Sequence, residues 1–152
     1  MNLIIDIGNT LVKYAVFKNN EVFIIEKSDD FDGRLVDKLL KNNDIQKIIV
    51  SSVREKVTIN SEIHTVYLSE KTNVPITVKY KTPNTLGKDR LAGVVAAAVL
   101  YPNKNVLVID AGSCITMDYI DKNKVYFGGR ISPGIEMRYN SLKKFTKNLP
   151  KL

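Results

Sequence analysis

The sequence predicts an α/β fold of two related halves, the first complete and the second incomplete, for this chain of 152 residues. Three observations favour it. The chain opens with the predicted order strand, strand, strand, helix, strand. A strand that ends in an aspartate and turns through a glycine occurs twice, at residues 6–8 and 110–112. A long apolar helix, predicted from Lys88 onward, separates these two units.

Composition limits the classes of function that fit. With 44% hydrophobic and 26% charged residues, the chain resembles globular proteins that bury a core. The net charge of +7 would suit an anionic partner, but the lysines recur singly and no basic run is interleaved with aromatic residues, so we expect no nucleic-acid partner. The single cysteine, Cys114, excludes an intrachain disulfide and any multi-cysteine metal site.

Hydropathy along the chain argues against a membrane protein. No segment approaches the roughly 20 apolar residues that a membrane-spanning helix needs. The apolar run at the beginning is too short for a signal peptide and is stopped by Asp6. We therefore expect a cytoplasmic protein that makes no membrane contact.

The first half is predicted to begin as an antiparallel meander. Asn2 to Ile7 is typical of a buried strand, and Leu11 to Phe17 is its expected hairpin partner across Gly8, Asn9 and Thr10. Glycine and asparagine tolerate the positive φ angles that such a turn can require. After a second turn, Glu21 to Glu26 is predicted as the third strand.

A helix, a strand and weaker elements are expected next. The segment beginning at Asp32 places leucines on one helical face, and Lys47 to Val50 is a β-branched run that predicts a strand. A weaker helical piece and a strand at Thr65 to Leu68 complete the order of a ribonuclease-H-like half domain. Ile76 to Lys79 is expected to be extended, and residues 81–87 are predicted as a loop by their proline, asparagine and glycine.

The second half repeats the opening of the first. The run Leu91 to Leu100 is apolar nearly all round, which predicts a helix buried between layers. Strands are expected at Val106 to Asp110, Ile115 to Ile120 and Val125 to Ile131, before a helix with apolar residues on one face. We divide the chain into domains at residues 1–80 and 81–152. By analogy with the first half, we expect a further helix–strand–helix portion to follow in the second.

The first hairpin has the chemistry of a phosphate loop. Asp6 ends an apolar strand, Gly8 allows close approach, and Asn9 and Thr10 supply amide and hydroxyl groups. Backbone amides in such a turn can contact phosphate oxygens, Lys13 can add a charge, and Asp6 can hold Mg²⁺ through water. A hairpin with good turn residues and no ligand is the alternative interpretation.

The second hairpin has the same design of acid, small residues and hydroxyls, from Asp110 through Ser113 to Asp118. Two such hairpins facing each other across a cleft would clamp the β- and γ-phosphates of a nucleotide, as in the actin-like ATPases and sugar kinases. For Asp118 and Thr116, the alternative interpretation is that both are outward-facing strand residues.

The segment from Gly87 to Arg90 leads into the predicted apolar helix and has two interpretations. Asp89 can be a helix N-terminal acid, which the helix dipole and the unpaired amides favour. Alternatively, Asp89 accepts a hydroxyl proton while Arg90 binds the acceptor. Phosphoryl transfer through a loose transition state needs orientation more than a strong base, so a dipole-stabilised carboxylate would suffice.

Taken in order, these motifs resemble those of one family, the type III pantothenate kinases. Residues 6–10, Asp-Ile-Gly-Asn-Thr, are similar to its first phosphate motif, and residues 87–90 to its Gly-x-Asp-Arg substrate motif. Residues 110–113, Asp-Ala-Gly-Ser, look like its second phosphate motif. Residues 128–134 resemble its Gly-Gly-x-Ile-x-Pro-Gly stretch. The resemblance extends over essentially the whole chain.

The resemblance implies ATP-dependent phosphorylation of pantothenate to 4′-phosphopantothenate, the first step towards coenzyme A, by a cytoplasmic homodimer. It implies that Asp89 is the proton acceptor, that Asp6 holds Mg²⁺, and that Asp110 binds a monovalent cation, K⁺ or NH₄⁺. The implied ATP-binding residues are Asp6, Ile7, Gly8, Asn9, Thr10, Leu11, Val12, Lys13 and Ser113. The implied pantothenate-binding residues are Tyr80, Gly87, Lys88, Asp89 and Arg90.

This sequence departs from the family pattern in three places. Ser113 replaces the usual threonine and keeps its hydroxyl, and Ala111 replaces a frequent larger residue. Family members continue for roughly another half domain, so we expect this chain to be truncated. The alternatives are therefore a non-catalytic nucleotide-binding or regulatory relative, or another small-molecule kinase of the same fold, such as a sugar or acetate kinase.

Overall fold

The chain forms two compact units in a computed structural model that describes residues 1–54, 57–148 and 150. Unit 1 comprises residues 1–73 and 87–89, and unit 2 comprises residues 74–86 and 90–152. The predicted domain boundary between residues 80 and 81 stays a prediction.

Unit 1 is built on a five-stranded sheet in the order β3-β2-β1-β4-β5. β1 pairs with β2 in antiparallel register and with β4 in parallel register. The predicted meander, helix and following strand are confirmed. The elements are β1 (Asn2–Ile7), β2 (Val12–Lys18), β3 (Glu21–Ser28), α1 (Gly33–Asn42), β4 (Lys47–Ser52) and β5 (Thr65–Tyr67).

Alternation of apolar residues places the core of unit 1 on one side of this sheet. Every second residue from Leu3 to Ile7 and from Val12 to Val16 is buried, and α1 packs Val36 and Leu39 against them. Asp32 begins α1, since its carboxylate accepts hydrogen bonds from the backbone N–H groups of Arg34 and Leu35. The buried strand residues are Leu3, Ile5, Ile7, Val12, Tyr14 and Val16.

The weaker helical piece predicted between β4 and β5 is wrong for the residues described there, which are 53, 54 and 57–64. β-Branched residues and side-chain hydrogen bonds to the local backbone favour non-helical conformations in this segment. The Ser61 hydroxyl accepts a hydrogen bond from the N–H of Ile63, and the Tyr67 hydroxyl accepts one from the N–H of Ile59. Ile59 is buried in the core of unit 1 without helical structure.

Unit 2 contains a four-stranded sheet in the order β6-β9-β8-β7. β7, β8 and β9 form the predicted second antiparallel meander, and the short β6 runs parallel to β9. The elements are β6 (Thr77–Val78), a 3₁₀ turn (Pro83–Thr85), α2 (Lys88–Leu100), β7 (Val106–Ala111), β8 (Cys114–Ile120), β9 (Val125–Pro133) and α3 (Ile135–Phe145).

The prediction that α2 is buried between two layers is wrong. Leu91, Val94 and Ala98 pack into a core with Ile120 and Tyr126. The opposite side of the helix, which includes Ala92, Ala96, Val99 and Leu100, is exposed. A helix that is apolar all round does not reveal how many of its sides are covered. Within the described residues, no helix has both the length and the apolar character needed to cross a membrane.

Candidate active site

The β1–β2 hairpin holds all the predicted first-loop residues in one tight turn. The N–H of Gly8 donates a 3.0 Å hydrogen bond to the carbonyl oxygen of Leu11, and a Cβ atom at Gly8 would lie 3.1 Å from that oxygen. Asn9 and Thr10 are exposed at the tip. Asp6 and Lys13 are direct partners across the two strands, so a carboxylate and an ammonium group flank the turn.

Arg54, which the sequence motifs did not indicate, braces this hairpin. Its guanidinium Nη2 donates a 2.9 Å hydrogen bond to the carbonyl oxygen of Asn9. Nη1 forms a 3.0 Å ion pair with Asp30. The backbone N–H of Arg54 donates a hydrogen bond to the hydroxyl of Ser52. This bond fixes the backbone from which the Arg54 side chain extends. The hairpin tip is therefore tied to the end of β4.

The environment of Asp6 fits a magnesium ion. Ser51 is its direct partner on the parallel strand β4, so the two side chains share a face of the sheet. The Ser51 hydroxyl is buried and makes no hydrogen bond within the described part of the chain. Mg²⁺ commonly binds one or two carboxylates, waters and substrate phosphates, so this site needs no carboxylate cluster. No group of three or more His, Cys, Asp or Glu residues suited to a metal occurs among the described residues.

The β7–β8 hairpin of unit 2 has a similar closed turn. The N–H of Gly112 donates a 2.9 Å hydrogen bond to the carbonyl oxygen of Cys114. Asp110, Gly112 and Ser113 are all exposed there. The N–H of Gly134 donates a 3.1 Å hydrogen bond to the carbonyl oxygen of Ser113, so the end of the Gly-Gly-x-Ile-x-Pro-Gly stretch supports this turn.

Lys88 and Asp89 form the first turn of α2. Asp89 is half-buried at a position where the helix dipole stabilises a carboxylate. The Lys88 ammonium lies 3.5 Å from the carboxylate of Glu70. A backbone hydrogen bond lowers the pKa of the Glu70 carboxyl, and Lys88 acts in the same direction. The structure agrees with a dipole-stabilised Asp89 and leaves its proposed proton-accepting role as a prediction.

Arg90 is buried against an acidic partner in unit 2. Only 8% of Arg90 and 2% of Asp118 are exposed. Nε of Arg90 lies 2.9 Å from Oδ2 of Asp118, and Nη2 lies 2.5 Å from Oδ1. These hydrogen bonds raise the pKa of the Arg90 guanidinium further above its usual range. The interpretation of Asp118 as an outward-facing strand residue is wrong, because β8 turns it inward beside Ile120.

Tyr126 completes the polar part of this cluster. Its hydroxyl donates a 2.7 Å hydrogen bond to Oδ1 of Asp118, and the side chain is fully buried. Burial raises the pKa of the Tyr126 phenol, and the hydrogen bond to Asp118 adds to that shift. The carboxylate of Asp118 therefore accepts hydrogen bonds from an arginine on α2 and a tyrosine on β9 at once.

Tyr80 lies against the same cluster. Its ring stacks on the ring of Tyr126 with centroids 6.2 Å apart, and the Arg90 guanidinium lies 5.6 Å from the Tyr80 centroid. Gly128 has a φ of +106°, and a Cβ atom there would lie 3.0 Å from the Tyr80 ring. A Cβ atom at Gly129 would collide with the carbonyl oxygen of Met117. The paired glycines thus keep space for Tyr80 and for the strand that carries Asp118.

The model of one family, described as type III pantothenate kinase, matches residues 2–152. The chain belongs to the type III pantothenate kinase family. A relative from Christiangramia forsetii is 46% identical over 99% of this chain and 65% of its own length. One from Phocaeicola vulgatus is 43% identical over 100% of this chain and 65% of its own length. Both are named type III pantothenate kinase, and the chain spans about two thirds of such relatives.

Solved structures with low sequence identity show the fold of this family member. One is a protein from Sinorhizobium meliloti assigned as a 2-dehydro-3-deoxygalactonokinase. The match covers 96% of this chain and 58% of that protein's chain, with a TM-score of 0.54 and 12% identity. The match to a Ppx/GppA family protein from Aquifex aeolicus covers 99% of this chain and 56% of that protein's chain, with a TM-score of 0.50 and 16% identity. The predicted actin-like fold is confirmed.

Within this pantothenate kinase family member, sequence reasoning missed Arg54 and Tyr126, and it named Asp118 in the second hairpin without identifying its partners. Asp118 accepts hydrogen bonds from Arg90 and Tyr126, and Arg54 donates one to the carbonyl oxygen of Asn9. The alternation of β8 offered a signal for Asp118, since it places this residue on the same side as the buried Ile120. No spacing rule indicated Arg54, because its contact with Asn9 spans 45 positions of the chain.

Proposed function

We propose that the protein carrying this chain phosphorylates pantothenate with ATP to give 4′-phosphopantothenate, the first step of coenzyme A synthesis. The single observation that supports this most strongly is the ordered set of four motifs in a chain whose sequence matches the family model from residue 2 to residue 152. The tight β1–β2 turn, with its exposed Asn9 and Thr10, agrees with a phosphate loop.

The proposed ATP-binding residues lie on two hairpins. In unit 1, residues 6–13 contact ATP through backbone N–H groups and through the side chains of Asn9, Thr10 and Lys13. In unit 2, the Ser113 hydroxyl contacts ATP. Mg²⁺ bound near Asp6 and Ser51 would neutralise phosphate charge, and the exposed carboxylate of Asp110 would hold K⁺ or NH₄⁺.

The proposed acceptor site uses the residues around the start of α2. Asp89 accepts the proton of the pantothenate primary hydroxyl and, above all, orients that hydroxyl for in-line attack. Tyr80, Gly87, Lys88 and Arg90 hold the rest of pantothenate. The active form is a cytoplasmic homodimer.

The test is ADP release by the complete gene product that contains this sequence, with Mg²⁺ and K⁺ present. We expect release that depends on pantothenate and not on sugars or acetate. A sugar- or acetate-dependent activity would show another kinase of the same fold. Calorimetry that detects nucleotide binding without pantothenate binding would favour a non-catalytic relative.

A further inference from the structure

Asp118 lies at the centre of a buried cluster that includes two residues of the proposed acceptor site. Arg90 from α2 and Tyr126 from β9 both donate hydrogen bonds to its carboxylate. Tyr80, from the segment after β6, stacks on Tyr126 and faces the Arg90 guanidinium. Neither Asp118 nor Tyr126 belongs to the motifs from which the acceptor site was assigned.

The charges explain why these residues form one unit. A buried guanidinium is tolerated only beside a compensating charge with good hydrogen-bond geometry. Asp118 supplies both, because Nε and Nη2 of Arg90 meet its two oxygens in a fork. Such a paired arrangement fixes the plane of the guanidinium as well as its position. Loss of the Asp118 charge would remove this ion pair from a buried guanidinium.

Aromatic contacts also fix the position of the Tyr80 ring. The cation–π contact and the ring stacking both depend on the positions of Arg90 and Tyr126, and both of those depend on Asp118. Gly128, with its positive φ, leaves the space that the Tyr80 ring occupies. The orientation of one carboxylate therefore sets two side chains proposed to contact the acceptor.

We propose that Asp118, held by the Tyr126 hydroxyl, is a positioning residue that sets Arg90 and Tyr80 for pantothenate binding. This inference rests on the proposed function and adds residues to its acceptor site. Asp118 does not contact the reacting atoms in this account. Its hydrogen bonds come from Arg90 and Tyr126, so its effect reaches pantothenate through Arg90 and Tyr80.

The experiment measures kcat and the two KM values of the complete gene product for three variants. Tyr126→Phe removes one hydroxyl and keeps the buried ring, and we expect a roughly 10-fold rise in KM for pantothenate. Asp118→Asn removes the charge, and we expect kcat/KM for pantothenate to fall on the order of 100-fold. The KM for ATP should stay within about 2-fold in both. Tyr119→Phe, an exposed tyrosine at 40%, is the control and should match the wild type.

A double-mutant cycle provides the second readout. Arg90→Lys keeps a positive charge but loses the paired hydrogen bonds to Asp118. Adding Tyr126→Phe to Arg90→Lys should therefore lower kcat/KM for pantothenate by less than about 2-fold relative to Arg90→Lys alone. This cycle also serves if Asp118→Asn fails to fold, since Tyr126→Phe keeps the apolar packing.

The outcomes separate this inference from the proposed function. A selective rise in KM for pantothenate, with non-additive Arg90 and Tyr126 effects, supports positioning. Unchanged pantothenate kinetics in Tyr126→Phe, or equal loss for ATP and pantothenate, would overturn the inference while the proposed function stands. A wild-type enzyme without pantothenate-dependent turnover would overturn both.

Discussion

Arg54 shows how a single side chain can brace the β1–β2 hairpin, the proposed phosphate loop, from a distant part of the sequence. Its hydrogen bond to the Asn9 carbonyl holds the tip of the β1–β2 hairpin. The partner ion pair with Asp30 contributes little to stability, because the Asp30 side chain is largely exposed. The function of Arg54 therefore lies in the shape of the hairpin and in the positive charge beside it.

Arg54→Ala should raise the KM for ATP about 10-fold, since a hydrogen bond from a charged donor contributes about 1.5–3 kcal/mol. The KM for pantothenate should change by less than about 2-fold. Steady-state kinetics with each substrate varied in turn measure both values. Arg34→Ala, an exposed arginine on α1, is the matched control. An unchanged KM for ATP in Arg54→Ala would contradict the bracing role.

The raised pKa of Tyr126 predicts how the free energy of unfolding changes with pH. Its phenol pKa is raised above the ordinary value of 10.0, first by burial and then by the hydrogen bond to Asp118. The unfolded chain loses this proton near pH 10, whereas the folded chain keeps it, so the free energy of unfolding falls as pH rises above about 10. Ultraviolet titration of the native protein up to about pH 11 should count as many phenolates in Tyr126→Phe as in the wild type. One phenolate fewer in the variant would contradict the shift.

At the scale of elements, the β8–β9 pairing depends on a glycine. A Cβ atom at Gly129 would collide with the Met117 carbonyl oxygen and lie 2.7 Å from Oδ1 of Asp118. Gly129→Ala should therefore lower the free energy of unfolding by about 1–3 kcal/mol, the usual range for overpacking. Denaturant unfolding followed by circular dichroism measures it.

Gly93 on α2 offers the matched control for that variant. A Cβ atom there would meet Val108 Cγ1 at 3.5 Å, an ordinary van der Waals contact. Gly93→Ala should leave stability unchanged or raise it by up to about 1 kcal/mol, because alanine favours the helix. If both alanine variants behaved alike, steric exclusion at Gly129 would be the wrong explanation.

The elements that the sequence predicted well are those with a strict period. β1, β2 and α1 were predicted close to their observed bounds. Periodicity failed where the apolar pattern does not indicate which side of an element is buried. The apolar surface of α2 could not show that one side is exposed, and the weak helical piece predicted between β4 and β5 does not form in residues 57–64.

Over the whole molecule, the sequence reveals local motifs more readily than long-range contacts. The turn residues around Gly8 and Gly112 could be found because a tight turn limits which residues fit. The contacts of Arg54, Asp118 and Tyr126 could not be assigned, since they depend on how distant strands and helices pack. Sequence thus indicated which residues carry the proposed chemistry, and the structure added those that hold them in place.

The measurement that tests the central claim most directly is the product formed from ATP and pantothenate by the complete gene product. Mass spectrometry should detect 4′-phosphopantothenate with the wild type in Mg²⁺ and K⁺. Asp89→Asn should slow its formation by about 10²–10⁴-fold, the contribution typical of a positioned acid or base. ATP consumption without phosphopantothenate, or an Asp89→Asn variant as fast as the wild type, would contradict this account.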